Sequence, residues 1–177
     1  MKLSKAERLI LANQFQLLSE QDNEYLDKET CLQFVTILRE GYELLYDDIF
    51  SGMDEEVSAE KCRFVLDVLS MYRIISNSFH RLSETTLTEE VIAFAGFDGN
   101  EETKEYSFLK FFINDYDRFR DLKKNKYMEE NSHSRMVPRY IRQFEIYSNI
   151  IESKKGAYQP HGNELTEEEI KLVLGLK

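Results

Sequence analysis

The stretch SAEKCRFVLDVLSMYRIISNSFHRL, residues 58–82, decides the fold. Its apolar residues Phe64, Val65, Val68, Leu69, Met71, Tyr72, Ile75 and Phe79 recur every three or four positions and wrap most of a helix's circumference. Only a narrow stripe of Arg63, Asp67, Ser70, Asn77 and Arg81 remains polar. A helix that is apolar on most sides must be surrounded by others. This one is therefore expected at the centre of an all-α, compact, single-domain bundle of about six or seven helices.

The flanking sequence supplies the neighbours. Ser4 with Glu7 has the spacing of a capping box and opens a helix to about Glu20. From about Asp27, Cys31, Phe34, Val35, Leu38, Tyr42, Leu45 and Ile49 line one face of a second, with Gly41 inside it, where close approach of another helix would account for the glycine. Thr86 with Glu89 predicts a short helix ending near Gly96. Asp98 with Glu101 predicts a fifth that carries Tyr106, Phe108, Leu109, Phe112, Tyr116 and Phe119. A polar stretch, 123–134, is expected as a mobile loop. Pro138 then suits the first turn of a sixth helix, with Tyr140, Ile141, Phe144, Tyr147 and Ile151 inward, ended by Gly156, Pro160 and Gly162. Thr166 and Glu169 form a last box, Leu165 can staple onto Ile170, and Gly175 can terminate the helix.

Composition narrows the class. In 177 residues there are only seven Gly and two Pro, too few turn formers for an all-β chain, and 42% are apolar, enough for a core. Charges interrupt every apolar run before the roughly 18 residues a membrane span needs, and no export signal is visible, so a cytoplasmic protein without membrane contact is expected. Cys31 and Cys62 fall among apolar residues at helical period and read as core thiols of a reducing compartment. The net charge of −10 (23 basic, 33 acidic) argues against wholesale coating of nucleic acid or anionic lipid.

With ERLILANQF at residues 7–15, REGY at 39–42, the stretch 66–82 centred on Met71 and Tyr72, and FAGFD at 94–98, the chain resembles the YfbU-like family of bacterial proteins. Order and spacing together carry the resemblance, which spans residues 1–177 as one helical domain. It implies a helical, cytoplasmic protein and brings no activity, cofactor or catalytic residue to carry over.

The chemistry-bearing residues are few. His80, His133 and His161 lack the close pairing of a zinc site, and no metal or cofactor is expected. Asp98-Gly99-Asn100-Glu101 lacks the alternating ligands of a calcium loop. Arg73 and His80 lie seven residues apart, two turns along one helix side, and resemble the Arg-x(4–6)-His pattern of HEPN-type helical ribonucleases. There a guanidinium binds phosphate and an imidazole transfers a proton. Ile74 stands where a polar residue usually follows that arginine, and chance spacing in a helix is the plainer explanation. Charge is also unevenly spread. Residues 118–142 hold eight bases and three acids, a local +5, whereas residues 43–60 hold seven acids and no base. Arg135, Arg139 and Arg142, spaced by four and three, are expected as an exposed face of the sixth helix seeking a counter-charge, such as the acids 54–56 of a neighbouring subunit.

Two functional classes follow. One is a protein-interaction or regulatory module acting as a homo-oligomer, its protein partner unnamed by the sequence and nucleic acid the less favoured anion. The alternative is a metal-independent ribonuclease using Arg73 and His80.

Overall fold

The computed structural model describes residues 2–21, 25–154 and 163–176. Among them are seven α-helices and no strand, only an isolated parallel bridge between Phe97 and Asn131. The chain divides into two compact units, Met1–Glu56 and Val57–Lys177.

In the first unit α1, Lys5–Leu18, and α2, Lys28–Glu40, pack on each other. The Ser4 box forms as expected. The Ser4 amide donates to the Glu7 carboxylate (2.7 Å), and the Glu7 amide donates to the Ser4 hydroxyl (3.3 Å). The second helix is shorter than its periodicity predicts. Gly41 does not lie inside it but ends it, at φ 76°, a left-handed conformation that halts helical bonding at little cost only for glycine. A 3-10 turn, Glu43–Leu45, and the short α3, Tyr46–Ile49, follow. Ala12, Leu38 and Tyr46 form this unit's buried centre, and Phe15 meets Phe34 edge to face at 5.2 Å.

In the second unit α4, Ala59–Phe79, is the central helix. Val65, Val68, Leu69, Met71, Tyr72 and Ile75 are all buried, and the helix packs against α5 (Thr103–Lys110) and α6 (Val137–Lys154). The last helix, α7 (Glu167–Leu174), rests on α6 with both halves of its capping box formed and Gly175 closing it at φ 71°. Leu165 and Ile170 are both buried, as a staple requires. The rings of Tyr72, Phe94, Phe97 and Tyr140 pack edge to face or stacked at the heart of the unit.

Three local expectations are corrected. No helix spans 86–96, which is a chain of turns. The Thr86 hydroxyl donates instead to Glu167 (2.5 Å), and Glu89 pairs with His80, so long-range partners claim both halves of the expected box. At Asp98 the returning bond comes from the residue after the expected one. The Asp98 amide donates to Glu102 (3.0 Å), whose other oxygen accepts from the Val137 amide (2.6 Å) at the start of α6. The aromatic fifth helix is α-helical only to Lys110 and continues as a π-helix over Phe111–Asp115.

The polar stretch 123–134 is irregular but tied down. The Glu129 amide donates to the Phe94 carbonyl, Phe97 to Glu130 and Ser132 to Phe97, all at 3.0–3.1 Å. Gly96 makes that pairing possible. It holds φ 83°, and a Cβ there would lie 2.3 Å from the Glu130 carbonyl oxygen. Cys31 is buried and Cys62 half-buried, both as free thiols. Gly156, Pro160, His161 and Gly162 lie outside the described residues. No described helix is long and apolar enough to cross a membrane.

Candidate functional site

Arg73 leaves α4 one residue after the buried Tyr72 and emerges half-buried. Its Nε and Nη2 donate to the two carboxylate oxygens of Asp121 (2.7 and 2.9 Å), and its guanidinium lies 3.8 Å over the Phe119 ring. Such a planar fork on a carboxylate is geometry that lysine could not reproduce.

His80 caps the C-terminus of the same helix. Its Nδ1 lies 2.6 Å from the Ser76 carbonyl and its Nε2 lies 2.8 Å from Glu89 Oε1. A carbonyl oxygen only accepts, so the Ser76 contact is a hydrogen bond when Nδ1 is the donor. The ring is held between two oxygen atoms, the Ser76 carbonyl and the Glu89 carboxylate.

His80, Glu89, Asp121, Lys124 and Asn125 line a polar cleft of about 220 Å³, so the structure brings His80 and the carboxylate partner of Arg73 to one place. Both sequence candidates are already committed to carboxylates there. The Asn125 side chain donates to the Glu89 carbonyl (2.8 Å) and fixes the far wall. Glu89, Asp121 and Asn125 were invisible to helical periodicity, because they come from the turns and the 3-10 segment Leu122–Lys124. Among the described residues no group of three or more His, Cys, Asp or Glu is placed to hold a metal ion.

The arginine face differs in detail from its expected form. Arg139 and Arg142 stand on α6, whereas Arg135 lies two residues before that helix begins, because Val137 is its first residue. All three are exposed, and among the described residues none of them has a carboxylate partner. Arg139 and Arg142 form one lip of a groove of about 430 Å³ whose other residues include Ile146 of α6 and Val173 and Leu176 at the end of α7. Beneath it Gln143 is buried and accepts a bond from the Tyr72 hydroxyl (3.1 Å). Burial drives the Tyr72 phenol up to about 12, against the opposing pull of the Arg139 charge and the Gln143 bond.

Comparison with known proteins agrees with the motifs. The YfbU domain matches residues 1–175. A UPF0304 protein of Methanocaldococcus jannaschii is 35% identical over 159 residues, covering 86% of this chain and 91% of its own length. UPF0304 proteins of Pasteurella multocida and Actinobacillus succinogenes are each 27% identical, covering 98% of this chain and 99% of their own. On this match, with the helical fold and the 94–98 turn in place, the chain belongs to the YfbU family.

Proposed function

We propose that this protein is a protein-interaction module of the cytoplasm that assembles with copies of itself, the arginine face receiving acids of a neighbouring subunit. The observation that carries the reading is the set of three exposed guanidiniums, Arg135, Arg139 and Arg142, without a carboxylate partner among the described residues. Like charges gathered on one face repel unless an anion joins them, and here they border a groove with apolar walls, the mixture that interfaces favour. Asp54 and Glu56 are exposed and sit beside Met53, itself 74% exposed, so that segment offers both charge and an apolar side chain. The two free thiols support a reducing compartment.

The test reverses all three arginines to glutamate and follows mass in solution and RNA binding in parallel. Dissociation with RNA binding unchanged supports assembly. Dissociation together with lost RNA binding would give the face to nucleic acid instead. If neither quantity moves, the face is merely solvated and the proposal is wrong.

A further inference from the structure

The π-helix Phe111–Asp115 is a rare winding that recurs at functional positions. Directly after it Asp117 and Phe119 hold φ of 57° and 58°, left-handed values that side-chain-bearing residues seldom adopt and that cluster at ligand-holding segments. The consequence is the direction of three side chains. Phe111 and Tyr116 stand 50% and 56% exposed, their rings stacked with centroids 6.0 Å apart and planes 26° from parallel. Arg118, bracketed by the two left-handed residues, brings its guanidinium 5.8 Å from the Tyr116 ring.

Inward the ladder continues. Tyr116 meets Phe112 at 5.4 Å, Phe112 meets Phe119 at 6.0 Å, and Phe119 lies under Arg73, whose partner Asp121 lines the His80 cleft. Residues 118–126 hold five bases, Arg118, Arg120, Lys123, Lys124 and Lys126, against the single acid Asp121, which Arg73 already engages. Arg120 also pairs with Asp117 and Lys123 with Glu130 (3.7 Å), which leaves Arg118, Lys124 and Lys126 as the bases without a carboxylate partner among the described residues and Asp115 as a carboxylate beside the rings.

We infer that this segment is a platform for single-stranded nucleic acid, with bases stacking on Phe111 and Tyr116 and the backbone phosphates meeting Arg118, Lys124 and Lys126. Every base has a π-face and every nucleotide an anion, which is the complement of two exposed rings flanked by cations. A protein-docking patch would have a broader apolar surround, whereas the exposed neighbours here are Lys110, Asn114, Asp115, Arg118 and Arg120. The inference stands apart from the assembly reading, since it uses none of the same residues.

The experiment is fluorescence anisotropy of the full chain with a labelled single-stranded RNA of about ten nucleotides at low salt. Saturable binding is expected, weakened about tenfold or more in a Phe111→Ala, Tyr116→Ala double variant and retained with Phe111→Tyr or Tyr116→Trp. Arg118→Glu should weaken it as well. Because both rings are exposed, the double variant should keep the wild-type unfolding midpoint, measured alongside. No saturable binding, or equal affinity in the double variant, overturns the inference. So does a change of solution mass in that variant with no RNA binding by the wild type, which would assign the rings to a contact between chains.

Discussion

Replacing Gly96 by alanine should be among the most damaging single changes in the second unit, and the cost can be assembled from the structure. At φ 83° an L-residue costs about 1–2 kcal/mol. The new methyl would lie 2.3 Å from the Glu130 carbonyl oxygen and 2.4 Å from its carbon, backbone atoms that cannot swing aside. The 129–132 strip must then move, giving up the bonds of Glu129, Phe97 and Ser132 at about 1 kcal/mol each. The expected loss is about 4–5 kcal/mol.

Two other glycines separate the terms. Gly175 shares a positive φ of 71° but faces open space, so alanine there should cost only the conformational part, about 1–2 kcal/mol. Gly52 has neither feature, and its alanine variant should stay within about 0.5 kcal/mol of the parent. The chain has ten tyrosines and no tryptophan, so urea unfolding followed by near-ultraviolet tyrosine dichroism is the suitable assay. A Gly96→Ala loss under about 1 kcal/mol, or the same loss at all three sites, would refute the reasoning.

Three further outcomes follow from the same structure. Leu69→Ala empties a fully buried site on α4 and should cost about 2–5 kcal/mol in the same assay; a loss below about 1 kcal/mol would deny α4 its central place. The Glu167 carboxyl, held by Lys171 first and then by Thr86 and Thr85, is lowered from 4.5 to about 2. Its contribution is therefore present above about 4.5 and lost as pH falls towards 2, so Glu167→Gln should flatten the stability profile across that window, which acid titration of unfolding will show. Tyr72 is shifted the other way, from 10 to about 12, and its neutral form contributes fully below 10 and progressively less as pH climbs to 12. Tyr72→Phe should remove one high-pH phenolate step in a spectrophotometric titration while the step of the still more strongly raised Tyr140 remains, and a titration unchanged from the parent would contradict the burial of the Tyr72 hydroxyl.

Sequence alone exposed those parts of the fold whose signals are local. The boxes at Ser4 and Thr166 sit beside the helices they cap, and the apolar circumference of residues 64–79 needs no partner to be read. What failed was governed by distant residues. Thr86 and Glu89 have box spacing, yet Glu167, 81 positions away, and His80 take their side chains. Gly41 at helical period reads as interior to the second helix, because period does not reveal the sign of φ, although the close approach expected there is present, since a Cβ would run into the Arg8 guanidinium of α1. The aromatic spacing from Tyr106 to Phe119 hid a π-turn and two left-handed residues, and with them the exposure of Phe111 and Tyr116. For the same reasons the region 83–102 is less helical than its periodicity suggests.

At the sites, the exposure of the arginine face was legible because Arg139 and Arg142 lie off the apolar stripe of α6. The commitment of Arg73 to Asp121 was not, since 48 residues separate them and only the folded chain brings them together.

The central claim, assembly through the arginine face, is tested most directly by a charge swap read as mass in solution across a concentration series. The wild-type chain should run above the mass of one chain, Arg139→Glu with Arg142→Glu should run as one chain, and adding Asp54→Arg with Glu56→Arg to that variant should restore the larger species. A wild-type chain that runs as a single copy at every concentration, or arginine variants that assemble as the parent does, would contradict the account. Dissociation by the arginine changes without restoration by the swap would keep the arginine face and remove residues 54–56 as its partner.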